Sequence, residues 1–90
     1  MFRIEWLQAA LDELTSIWLR ADSPLRKAIT AAIHLIETRI KHDPEQAGES
    51  RASEDDRIIF EHPLTVFFHV DSGNQVVTIG QVRLMKPRKK

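Results

Sequence analysis

Cysteine is absent from the 90 residues, and so is tyrosine. Without thiols the chain can form no disulfide scaffold, no cysteine-based zinc site and no thiol nucleophile. It suits a reducing compartment, and a cytoplasmic location is the expectation. Glycine occurs only at Gly48, Gly73 and Gly80, too scattered to build a phosphate-cradling loop, which removes the common nucleotide-binding folds. Net charge is missing as well: 13 Lys and Arg balance 13 Asp and Glu. The whole molecule therefore has no long-range field to draw nucleic acid or an anionic membrane, and any such attraction must be local. Long apolar runs are lacking too. Arg3, Glu5, Asp12 and Glu13 interrupt the first apolar stretch, and no run of about 18 uncharged apolar residues follows. Neither a signal peptide nor a membrane span is expected, and no membrane contact.

What is present, 42% hydrophobic and 29% charged residues, describes one domain over residues 1–90, with 85–90 a basic tail, because so short a chain cannot bury two cores. From Met1 to Trp6, Phe2, Ile4 and Trp6 alternate with Arg3 and Glu5, the period of a half-buried strand. The spacing then changes. Leu7, Leu11, Leu14 and Trp18 recur at helical intervals, and the helix should stop near Arg20 or Ala21, because Asp22 and Ser23 lead into Pro24. Ser23 is the expected N-cap of a second helix with Pro24 in its first turn. There Leu25, Ile29, Ala32, Ile33, Ile36 and Ile40 fall on one side. The short link predicts an antiparallel hairpin of helices.

His42 to Asp56 carries Pro44, Gly48, Ser50 and Ser53 with many acids and no apolar period, and reads as a loop. Arg57 to Glu61, Leu64 to Asp71 and Gln75 to Leu84 are rich in Ile, Val, Phe and Thr, which predicts three strands in a meander, with a turn at Asp71-Ser72-Gly73-Asn74. In the middle strand Leu64, Val66, Phe68 and Val70 share the better core face, while Thr65, Phe67, His69 and Asp71 share the other. The expected architecture is α+β: an N-terminal strand, a helical hairpin, then a three-stranded antiparallel meander, with the helices on one face of the sheet and the other face open.

Chemistry-bearing residues are few. His34, His42, His62 and His69 show no metal-ligand spacing, so no metal site and no cofactor are expected. His34 lies on the wet helix face, His42 at a helix end where an imidazolium complements the dipole, and His62 beside a turn. His69 alone is placed for a site on the open sheet face. None of the serines has a nucleophile-elbow context. The neutral total hides an asymmetry: Arg83, Lys86, Arg88, Lys89 and Lys90 put five cations into the last eight residues. Arg57 begins a strand and Arg51 closes the loop before it. Arg51, Lys86 and Arg88 are therefore candidate phosphate ligands, with a solubilising tail the alternative for the last residues.

The order of elements resembles the RelE/ParE toxin superfamily over nearly the whole chain. So do Pro44, Gly48-Glu49-Ser50-Arg51, Arg57-Ile58-Ile59-Phe60, Leu64-Thr65-Val66-Phe67-Phe68-His69-Val70-Asp71 and Val77-Thr78-Ile79-Gly80-Gln81-Val82-Arg83. The resemblance implies a small cytoplasmic toxin bound by a cognate antitoxin. Its RelE-like members cleave mRNA on the ribosome without a metal, and its ParE-like members poison DNA gyrase. It also implies a set of candidate catalytic residues: Arg57 matching a basic residue of the family, Arg83 or Lys86 in the terminal segment, and His69 for proton transfer. Thr65 stands where the nucleases of the family carry an arginine, and that departure favours the alternative of a non-catalytic interaction module.

Overall fold

The structure, a computed structural model, describes residues 1–51, 53 and 55–85. Its elements are β1 (Arg3–Trp6), α1 (Gln8–Arg20), α2 (Ser23–His42), β2 (Glu49–Ser50), β3 (Asp56–Glu61), β4 (Leu64–Asp71) and β5 (Val76–Leu84). The α+β expectation holds, and the helices and sheet share one core. The sheet has five strands rather than four, in the order β1-β5-β4-β3-β2. Strands β2 to β5 are antiparallel neighbours, and β1 returns beside β5 in parallel, as the intervening helices allow.

The short β2 falls inside the segment expected to be a loop. Two residues carry too little periodicity to be read as a strand, and Glu49 and Ser50 owe their conformation to pairing with Ile58 and Arg57. The helix preceding them runs through His42, with Arg39, Lys41 and His42 in its last turn, where positive charge complements the exposed carbonyls.

The cap of α2 is also a correction. Asp22, not Ser23, is the N-cap: its backbone is extended at φ −82° and ψ 177°, and its Oδ1 accepts from the Leu25 N–H at 3.0 Å. Ser23 is already helical, so its side chain cannot serve that position. Arg26 then ties the hairpin together, donating from Nε to the Trp18 carbonyl at 2.9 Å while its guanidinium lies 5.5 Å from the Trp18 ring centre.

Ile29, Ala32, Ile36 and Ile40 of α2 and Ala10 of α1 are buried against Ile59, Leu64, Val66, Phe68, Val70, Val77, Ile79 and Val82 of the sheet. Each such large aliphatic side chain is worth about 1.5–3 kcal/mol on burial. Trp6 packs on the same core and donates from Nε1 to Glu37 at 3.2 Å, which fixes β1 to the middle of α2. Past the end of β1 the outer edge of β5 has no neighbouring strand, and its Val82 N–H is satisfied by the Glu13 carboxylate of α1 at 2.9 Å. No helix among the described residues is long and apolar enough to cross a membrane.

Candidate functional site

The face of the sheet turned away from the helices is organised by the parity of β4. Leu64, Val66, Phe68 and Val70 are at most 3% exposed, so Thr65, Phe67, His69 and Asp71 face outward. Across the ladder, Phe67 pairs with Gln81 but Phe68 with Ile79, so Gly80 is an extra residue in β5. Such a bulge re-aims the side chains beyond it. Here it lets Ile79 and Val82, three residues apart, both enter the core, and it turns Thr78, Gln81 and Arg83 outward. The open face is thus a set of rows: Phe60, Thr65 and Arg83; Ile58, Phe67 and Gln81; Asp56, His69, Thr78 and Glu5.

The third row carries the chemistry. His69 Nδ1 lies 2.8 Å from Asp56 Oδ1, and Ser53 Oγ donates to Asp56 Oδ2 at 3.1 Å. These contacts hold the Asp56 carboxyl below its ordinary range, the His69 hydrogen bond contributing most and Ser53 next. An ionised carboxylate can only accept, so Nδ1 carries the hydrogen of that bond, and Nε2 is the ring nitrogen through which His69 would exchange a proton with a ligand. Backbone hydrogen bonds hold Arg51 and Asp55 beside this row. The Arg51 N–H donates to the Asp56 carbonyl at 2.7 Å and the Val70 N–H to the Asp55 carbonyl at 2.8 Å. Arg51 is thereby placed with its guanidinium 4.7 Å from the Phe67 ring centre. Arg51, Asp56, Arg57, Phe67, His69, Thr78 and Gln81, with Leu7 at the far side, line a shallow cavity of about 380 Å³.

Of the residues expected from sequence, Arg51, Arg57 and His69 come together here. Arg83 lies on the same face opposite Thr65, and Thr65 and His69 are four residues apart along β4, about 13 Å at the rise of a strand. Arg57 is different. It lines the cavity too, but it pairs with Phe68, and its Nε and Nη2 donate to the Ala47 carbonyl at 2.9 Å and the Gly48 carbonyl at 3.0 Å. The guanidinium expected to meet phosphate also secures the loop after α2. Gly48 makes that loop possible, since its φ is +68° and a Cβ there would collide with the Ile58 carbonyl. Lys86 and Arg88 lie outside the described residues. Among those residues no group of three or more His, Asp or Glu side chains converges as a metal site would require.

Asp56 is the cavity residue that the composition of its segment conceals, because it closes an acid-rich stretch that reads as loop. A signal existed. If His62 and Pro63 are the two-residue connection, Glu61 faces Leu64, and five steps back along each strand Asp56 faces His69.

No protein-family model matches the sequence, and no curated protein matches it by sequence. Solved structures do match the fold. A chain of the chromosomal ParDE toxin-antitoxin system from P. aeruginosa superposes with a TM-score of 0.72 at 16% identity, covering 96% of this chain and 98% of that one. A chain of the RelBE2 toxin-antitoxin complex from Mycobacterium tuberculosis gives 0.72 at 12% identity, covering 92% and 96%. The isolated E. coli RelE toxin gives 0.66 at 16% identity, covering 99% and 89%. The helical pair, the mixed five-stranded sheet and the open face together are the RelE/ParE fold.

Proposed function

We propose that this chain is the toxin member of a type II toxin–antitoxin pair, cytoplasmic and held silent by a cognate antitoxin, with RelE-like cleavage of mRNA on the ribosome as its activity. The observation that carries the reading is the near end-to-end correspondence of fold with the ParDE and RelBE structures. The apolar groove between α1 and α2, lined by Leu14, Trp18, Ile29 and Ile33, suits an apolar segment of the antitoxin. The Asp56–His69 pair beside Arg51 favours ribonuclease chemistry over gyrase poisoning. In that chemistry a 2′-hydroxyl attacks the adjacent phosphorus, the new P–O2′ bond forms and the P–O5′ bond breaks. His69 Nε2 takes the hydroxyl proton and solvent protonates the leaving oxygen. Arg51 and Arg83 offset the charge that grows on the phosphoryl oxygens, with Lys86 and Arg88 of the tail as further phosphate contacts. Arg57 acts as a positioning residue, through the loop that leads to Arg51.

Thr65, standing where a nuclease of this fold would carry a cation, supports a second reading as a non-catalytic interaction module. Induced expression separates the two. A toxin arrests growth and is rescued by co-expression of the neighbouring gene, and His69→Gln should relieve arrest with a loss of mRNA cleavage of about 100-fold or more. Unimpaired growth in cells holding folded, soluble protein would remove the toxin reading, and trapped or linearised DNA in place of cut mRNA would move it to gyrase.

A further inference from the structure

Phe67 is an aromatic side chain on the open face of the sheet, between Ile58 and Gln81, and it takes no part in the proton transfer argued above. The Arg51 guanidinium sits over it at 4.7 Å from the ring centre. A guanidinium plane on an aromatic ring is the surface that unpaired nucleobases use in single-stranded recognition, where stacking binds the base and the cation meets the phosphate that follows. The surroundings complete such a seat. Gln81, directly opposite Phe67, brings an amide that can both donate and accept at a base edge, and Thr78 brings a hydroxyl one row along. The extra residue between them is Gly80, whose missing side chain leaves that strip of the cavity low. An apolar floor with a few polar groups at its rim is the composition of a small-molecule or base pocket rather than of a bare phosphate site.

We infer that the Phe67–Arg51 stack seats one unpaired nucleobase of a single-stranded RNA, with Gln81 at the edge of that base and the flanking phosphate on Arg51. The inference deepens the ribonuclease reading and rests on it. It adds a base-binding position one row from the Asp56–His69 pair, so the nucleotide held there neighbours the scissile bond.

The test is equilibrium binding of the full chain to a short fluorescein-labelled single-stranded RNA at fixed salt, and to an abasic strand of the same length. Phe67→Leu keeps an apolar side chain but removes the ring, and Arg51→Gln removes the cation from an exposed position without touching the core. Phe67→Leu should weaken RNA binding about five-fold or more and leave abasic-strand binding unchanged, whereas Arg51→Gln should weaken both. Equal RNA binding by wild type and Phe67→Leu, or no RNA binding by the wild type, overturns the stack. If Phe67→Leu melts early, the comparison of Arg51→Gln with Arg83→Gln decides. A purely ionic role predicts equal losses on RNA and on the abasic strand for both variants, and the stack predicts an RNA-selective excess for Arg51→Gln alone. Growth arrest with rescue by the neighbouring gene is scored separately, so a failed stack leaves the toxin reading standing and a failed arrest is seen as such.

Discussion

The two faces of this sheet are built from the same strands and obey opposite rules. On the helix-covered face every large side chain of β4 and most of β5 is apolar and almost wholly buried. On the open face, within the same residues, an imidazole is paired with a carboxylate and a guanidinium lies on an aromatic ring. Two arginines add a contrast of their own. Arg51 and Arg57 both line the open-face cavity, yet one guanidinium lies over the Phe67 ring and the other is held by the carbonyls of Ala47 and Gly48. The lesson is that residue type nominates a phosphate ligand, while the contacts around it decide where its charge is held.

Breaking the covered face should cost the most. Ile36 and Leu64 are both fully buried. Ile36→Ala or Leu64→Ala should lower unfolding free energy by about 2–5 kcal/mol in urea titrations, through lost transfer energy and the cavity left behind. Phe67→Leu on the open face should cost under about 1.5 kcal/mol. Equal losses would mean that the open face is covered in solution.

A smaller effect separates the two arginines. Arg57→Ala removes charge-assisted hydrogen bonds to the Ala47 and Gly48 carbonyls, and it should cost about 1.5–3 kcal/mol. Arg51→Ala, an exposed change, should stay within about 0.5 kcal/mol of wild type and show its effect on RNA instead. Stability unaltered in Arg57→Ala would free that residue from its structural role.

Much of this is legible in the sequence. The helices follow from the spacing of Leu11, Leu14 and Trp18 and of Ile29, Ile36 and Ile40, because burial on one face leaves a helical period that composition cannot hide. The limits of β4 follow from the alternation that puts Val66 and Phe68 in the core. Three things were not legible. β2 arises from pairing alone. The parallel place of β1 beside β5 depends on how far two helices carry the chain. The bulge at Gly80 changes the parity of β5 with no mark in the apolar pattern beyond Ile79 and Val82 standing three apart. The site suffered most from the first of these, since the ordered path through Glu49–Ser50 and Arg51 creates the cavity wall. His69 stood out as a lone histidine on a polar strand face, but its partner Asp56 was hidden among acids that solvent alone would explain.

The smallest expected effect lies in the pairing that defines the open face. Asp56 titrates below its ordinary value of 3.8 because the hydrogen bond from His69, and then that from Ser53, favours the ionised carboxylate. Asp71 is likewise lowered, chiefly by the Asn74 side chain. A carboxyl with a depressed value in the fold adds stability that is fully present above the unfolded value and is lost as pH falls through the folded one. Unfolding free energy should therefore decline below about pH 4, and Asp56→Asn should make that decline shallower while leaving the curve near neutrality nearly flat. Since Asp56 is exposed, the change belongs to the slope of the acid limb and not to the height of the plateau. His69→Ala should flatten the limb as Asp56→Asn does, because it removes the principal cause of the shift, whereas Asn74→Ala should act through Asp71 and add to either. Additive loss in the double variant Asp56→Asn with His69→Ala would mean that the two side chains titrate independently, and the carboxylate–imidazole pair on the open face would then have no energetic reality.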